Sequence, residues 1–208
     1  MIQSDEIAAF FTRSDGQYLC ARWGRPIAPV VFGVDDATLA VFKGAIEAVV
    51  TLAGHKMDEI DAELGANLMV FFCTDWDEMT DVPHLDKLVP DLGPLVERLK
   101  AADANQYRIF RFDEARAIRA AFVFIRMDEN LQSIGADALA LSQAVQTILL
   151  WSDAAFTDQP PLAQVNGNTV LRPDVAAIIR AAYDPVMPAV ATDPSHALRL
   201  AARMELPQ

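Results

Sequence analysis

Three histidines, two cysteines and one dense run of carboxylates are the residues here whose types suit metal or nucleophilic chemistry. A zinc site needs about three protein ligands and one open position. His55, His84 and His196, joined by a nearby acid, are the set that could supply them, but each stands alone in sequence and no ligand spacing links them. His55 follows the expected end of a helix, where a protonated imidazole would meet the negative end of the dipole; His196 falls in a first helical turn, where the dipole favours the neutral ring. Each has an ordinary structural place to fill. Cys20 and Cys73 are too few and too far apart for a zinc ribbon or a CxxC redox motif. They are expected to be plain buried thiols, with a single disulfide as the alternative in an exported protein. The run "DWDEMTD" brings Asp75, Asp77 and Asp81 together but lacks the central Gly and bidentate terminal Glu of a calcium loop. An acid-rich helix N-terminus accounts for it.

Other common chemistries lack their motifs. There is no GxxxxGK followed by Ser or Thr, no GxGxxG after a strand and no GxSxG, so phosphate-loop, dinucleotide and α/β-hydrolase functions have no support. No cofactor is expected.

The stretch "SQAVQTILLWSD", residues 142–153, raises a sharper question, because it reads as a helix yet carries no metal ligand. Gly135-Ala-Asp137 opens that helix, and Ala138, Leu141, Val145, Ile148 and Leu149 describe its core-facing stripe. Upstream, Ser4 is read as the cap of a short helix over "DEIAAFFTR", and "QYLCARWGRPIAPVVFGV" as a strand pair or one broken strand. The clearest helix follows, capped by Asp35 or Asp36, with Leu39, Phe42, Ile46, Val49, Val50 and Ala53 at three-to-four spacing and Gly54 at its C-terminal end. The continuous apolar run "ANLMVFFCT" suits a strand covered on both faces, so strand, helix and strand predict a right-handed crossover and a parallel pair. Pro83, Pro90 and Pro94 break the next stretch into short helical pieces. "YRIFRF" and "RAIRAAFVFIRM" read as strands, Asn166-Gly167 as a hairpin turn, Pro173 as the first residue of a helix ended by Asp184-Pro185, and Asp193-Pro194 as the start of a last helix.

With 208 residues the chain can bury a core without a disulfide or metal staple. Its 52% hydrophobic and 22% charged content describes an ordinary globular protein. No apolar run reaches the roughly 20 residues of a bilayer crossing, so no membrane role is expected. The N-terminus carries acids where a signal peptide carries Lys or Arg, which reads as cytoplasmic, or as exported if the sequence starts after a removed leader. The net charge of −12 is uneven. Residues 57–91 hold ten acids against Lys87, whereas residues 98–126 hold seven bases against three acids. That acidic block is a solvated face or a docking surface for a basic protein partner. Nucleic acid is not expected to bind, because phosphate neutralisation needs a net basic surface.

Taken in order, "RWGRPIAPVVFG", a helix ending in "LAGH", "ANLMVFF", a strand ahead of "LSQAVQTILLWSD", then "LRPDVAAIIRAAYDPVM" and a closing helix resemble an uncharacterised group of bacterial proteins related to the zincin-like metallopeptidases. The resemblance implies an α+β fold: a small mixed β-sheet packed against two long helices, with a mostly helical C-terminal part. The likeness runs from about Arg22 to Met204, and the chain is read as one domain over residues 1–208, with an N-terminal helical extension (1–20), a mixed core (21–153) and a hairpin and helical C-terminal part (154–208). A zincin helix carries HExxH, two imidazoles gripping zinc and a Glu activating its water. The group resembled carries instead a pattern like EExxQ followed by a later Asp. Matching Gln146 to that Gln places Ser142 and Gln143 on the two acids and Asp153 on the later Asp. Neither Ser nor Gln replaces imidazole, and Gln143 has no titratable proton for a general base. The function implied is a non-catalytic domain acting by protein or small-molecule binding, the alternative being a metal-dependent hydrolase built on His55, His84 or His196.

Overall fold

Asp35 and Gly54 bracket the longest helix and show how local chemistry sets the architecture. In the computed structural model, which describes residues 2–205, the Asp35 carboxylate accepts the Thr38 N–H at 2.7 Å and caps α2 (Asp36–Leu52). At the other end Gly54 takes φ +63°, its N–H donates to Thr51 O and the His55 N–H reaches back to Val50 O. This paired closure satisfies carbonyls that helix geometry leaves open. The helix lies between strands β2 (Pro29–Phe32) and β3 (Leu68–Cys73), which pair in parallel with Pro29 opposite Leu68.

The sheet continues through β5 (Ile118–Arg126), parallel to β3, and ends at β4 (Gln106–Phe112), antiparallel to β5. Its order is therefore β2-β3-β5-β4. Alternation along β5 sends Ala121, Val123 and Ile125 to one apolar cluster and Ala120, Phe122 and Phe124 to the other, as the two-residue period of a strand requires. The second cluster is closed by α3 (Glu78–Asp81), α4 (Leu85–Leu88) and α5 (Leu92–Ala101), short pieces separated at Pro83 and Pro90. Pro94, expected to break the chain again, instead sits in the first turn of α5, where a missing N–H costs nothing.

On the opposite face α2 packs with α7 (Ala136–Ile148), which a short helix α6 (Glu129–Gln132) precedes, and with α8 (Pro173–Tyr183). Pro173 occupies the first turn of α8, as expected. Between α7 and α8 the hairpin of β6 (Leu162–Val165) and β7 (Asn168–Leu171) turns through Asn166 and Gly167, both at positive φ. The ends of the chain belong to the same core. The N-terminal helix α1 (Ser4–Ala9) packs on α9 (Ser195–Met204), and β1 (Cys20–Ala21) pairs with β8 (Val190–Ala191), a contact no sequence pattern announced. Two readings are corrected here: α1 is capped at Gln3 rather than Ser4, and it stops at Ala9 rather than running through Arg13. Gln3 closes it by donating its N–H to Glu6 at 2.7 Å. Among the described residues no helix is long and apolar enough to cross a membrane.

Candidate functional site

Helix α7 presents more than an apolar stripe. Its buried set includes Leu139, Ala140, Ala144, Val145 and Ile148, together with Gln143 at 3% exposure and Thr147. Ala138 and Leu141, placed in the stripe by periodicity, are only half-buried. A buried amide must spend its donors and acceptor or cost free energy. Gln143 does so across the sheet: its Oε1 accepts from Arg108 Nη2 at 2.6 Å, and its Nε2 donates to Gln106 Oε1 at 2.8 Å. Arg108 Nη2 also donates to Gln106 Oε1 at 2.9 Å. The two strand residues share a face because they lie two apart on β4, so one helix amide closes a ring of three side chains.

Arg108 has no carboxylate partner among the described residues. Burial pulls its guanidinium down to about 10, and no neighbouring charge offsets that displacement. Its Nε is enclosed and makes no hydrogen bond. The residue keeps partial exposure, and the space it meets is a cavity of about 250 Å³ shared with Arg13, Phe110, Gln146, Trp151 and Asp153. A larger cavity of about 600 Å³ lies beside α1. Its cation, Arg172, is already paired with Asp174, and its other charged lining residues, Glu6 and Asp158, are acids.

The four positions matched to the EExxQ-like pattern and its later Asp therefore divide. Gln146 and Asp153 line the cavity, and Gln143 sits behind it through Arg108. Ser142 accepts from Gln146 Nε2 at 2.9 Å and lines a separate, mainly apolar cavity under the β6–β7 hairpin. Asp153 is exposed and tied to Ser14, accepting its N–H at 3.0 Å and its hydroxyl; those bonds hold the carboxyl below its ordinary range. Sequence reasoning missed Arg108, which it counted within a basic stretch. The available signal was its place between Gln106 and Phe110 on one face of a strand.

The histidines lie apart. His55 Nε2 is 2.8 Å from Arg25 O and its ring packs on Tyr183. Burial lowers its pKa, so the neutral ring is favoured there rather than a protonated imidazole at the helix end. His84 is exposed at the start of α4. His196 is buried, with Nδ1 2.8 Å from Tyr18 Oη, and desolvation lowers it to about 4. No group of three His, Cys, Asp or Glu side chains comes together in metal-holding geometry among the described residues. Cys20 and Cys73 are free and buried in different clusters on the two faces of the sheet, and burial raises their thiols to about 12 and about 11. Three acids of "DWDEMTD" serve the chain locally: Glu78 accepts the N–H groups of Thr74 and Asp75 at 3.0 Å, Asp75 accepts the Asp77 N–H at 2.9 Å, and Asp77 pairs with Lys100 at 2.8 Å.

Compared with known protein families, with curated proteins and with solved structures, the chain matches none.

Proposed function

We propose that the chain is a non-catalytic recognition domain of zincin-like architecture, in which α7 holds the place of a catalytic helix and serves as the wall of a binding cleft. The observation that carries this reading is the fate of Gln143: at the position matched to a catalytic carboxylate it is buried, and its amide is committed to Arg108 and Gln106. An amide so held neither moves a proton nor orients a metal-bound water. Element order supports the same reading, because α7 follows β5 and α2 packs beside it. A second surface supports recognition of a basic protein. Asp61 and Glu63 are spent on Arg25 and Arg119, while Asp58, Glu59, Asp81 and Asp86 stay exposed without a cation among the described residues.

Metal content by plasma mass spectrometry on tag-free protein purified without chelator, paired with a peptidase screen, tests the proposal. Less than about a tenth of an equivalent of zinc and no cleavage is the expected result; about one zinc per chain with peptide hydrolysis overturns it.

A further inference from the structure

A guanidinium in a partly enclosed cavity lowers the free energy of any anion that fits, and a hydrogen bond from its charged N–H to a carboxylate is shorter and stronger than a neutral one. Arg108 is pre-set for this. Gln106 and Gln143 grip Nη2 from two sides, which fixes the plane of the group and uses both its hydrogens, while Nη1 makes no hydrogen bond among the described residues and is the donor left for a ligand. Both gripping groups are neutral amides, so the charge of Arg108 remains unmatched, and an unmatched buried cation is costly.

The walls narrow the ligand. Arg13 and Asp153 face the same space and their charges offset one another, which leaves the cavity with one positive charge. A dianion would set its second charge against Asp153. Phe110, Trp151 and Phe156 supply flat apolar wall, with Trp151 fixed by its indole N–H on Val145 O at 2.8 Å and packed against Phe156 at 5.1 Å between ring centroids. About 250 Å³ admits only a small molecule.

We infer that this cavity binds a small monocarboxylate with an aromatic or branched apolar body, its carboxylate on Arg108 and its body against Phe110, Trp151 and Phe156. The inference rests on reading the α7 cleft as a recognition site and names the ligand class for it.

The test is titration of the full chain with phenylacetate, with its uncharged isostere phenylacetamide and with inorganic phosphate, followed by the NMR resonances of the Trp151 indole and the Gln146 side-chain amide. Phenylacetate is expected to saturate those resonances, with phenylacetamide and phosphate each at least about tenfold weaker. Arg108→Lys, which keeps the charge and loses the planar group that Gln106 and Gln143 hold in place, is expected to weaken phenylacetate about tenfold. Equal binding of acid and amide, shifts confined to other parts of the molecule, or no saturation by roughly 10 mM overturns the inference. The isostere comparison uses the wild-type chain and decides the matter even if the variant does not fold. Zinc and peptidase activity would overturn the recognition reading itself, whereas a metal-free, inactive chain that ignores phenylacetate would overturn only the ligand class.

Discussion

The amide of Gln143 accepts from a cation on one side and donates to a neutral carbonyl oxygen on the other. Replacing it with Leu keeps the volume but leaves Arg108 Nη2 with Gln106 alone. Loss of a hydrogen bond to a charged group costs about 1.5–3 kcal/mol, so Gln143→Leu should lower urea stability by that order. An unchanged midpoint would show that the ring of side chains contributes nothing. Gln143→Glu asks a different question, since a carboxylate there would answer the charge of Arg108 from within, and phenylacetate should then bind at least about tenfold more weakly. His196 supplies a pH dependence. Its folded pKa of about 4 lies below the ordinary 6.5, so the unfolded chain takes up a proton in that window and the folded chain does not. Stability is therefore full above pH 6.5, falls as pH drops through the window and levels off below about 4. At pH 5 the loss amounts to about 2 kcal/mol, with His55, displaced in the same direction, adding to it. Denaturation at pH 7.5 and pH 5 checks this against His196→Gln, which retains an acceptor for Tyr18 and cannot titrate; an equal loss in the variant would assign the effect elsewhere.

At the scale of elements, two glycines at positive φ separate strain from collision. Gly54 closes α2 at φ +63° with open space where a Cβ would stand, so Gly54→Ala should cost only the left-handed penalty of about 1–2 kcal/mol. Gly33 leaves β2 at φ +81°, and a Cβ there would stand 2.5 Å from Phe72 O, a backbone atom that cannot rotate away. Gly33→Ala should therefore be clearly more damaging than Gly54→Ala in thermal melts, and equal shifts would show that the β2–β3 edge yields. The elements legible in the sequence are those whose signals are local: the Asp35 cap and Gly54 closure of α2, the continuous apolar run of β3, the Asn166-Gly167 turn and Pro173 at the start of α8. The parallel β2–β3 pair followed from the helix between them. What stayed hidden depends on distant partners. Strands β1 and β8 are two residues each, too short for any period, and meet from opposite ends of the chain. The candidate site was half legible for the same reason. Gln146 and Asp153 were found along one stretch, but Arg108, which gives the cavity its charge, stands 35 residues before Gln143 on a strand.

Over the whole molecule, the charge asymmetry seen along the chain is partly folded away: the acidic segment meets the basic one where Lys100 pairs with Asp77 and Arg119 with Glu63. The two apolar clusters are joined more tightly than that, because both are built on β3 and β5. Phe71, Phe122 and Phe124 of β3 and β5 face the α3–α5 layer, while Leu68, Val70, Ala121, Val123 and Ile125 of the same strands face α2, α7 and α8. Losing the α3–α5 layer would expose the stacked rings of Phe71 and Phe124 along the whole sheet, and the strands cannot leave one layer without leaving the other. One cooperative unfolding transition is the consequence. Leu99→Ala, in α5 and 5% exposed, should lower stability by about 2–5 kcal/mol and move the far-UV circular dichroism and tryptophan fluorescence midpoints together. Fluorescence reports on both clusters at once, since Trp76 lies in one and Trp23 and Trp151 in the other. Midpoints that separate in this variant would mean that the α3–α5 layer melts first, and that the sheet with its α7 cleft stands without it.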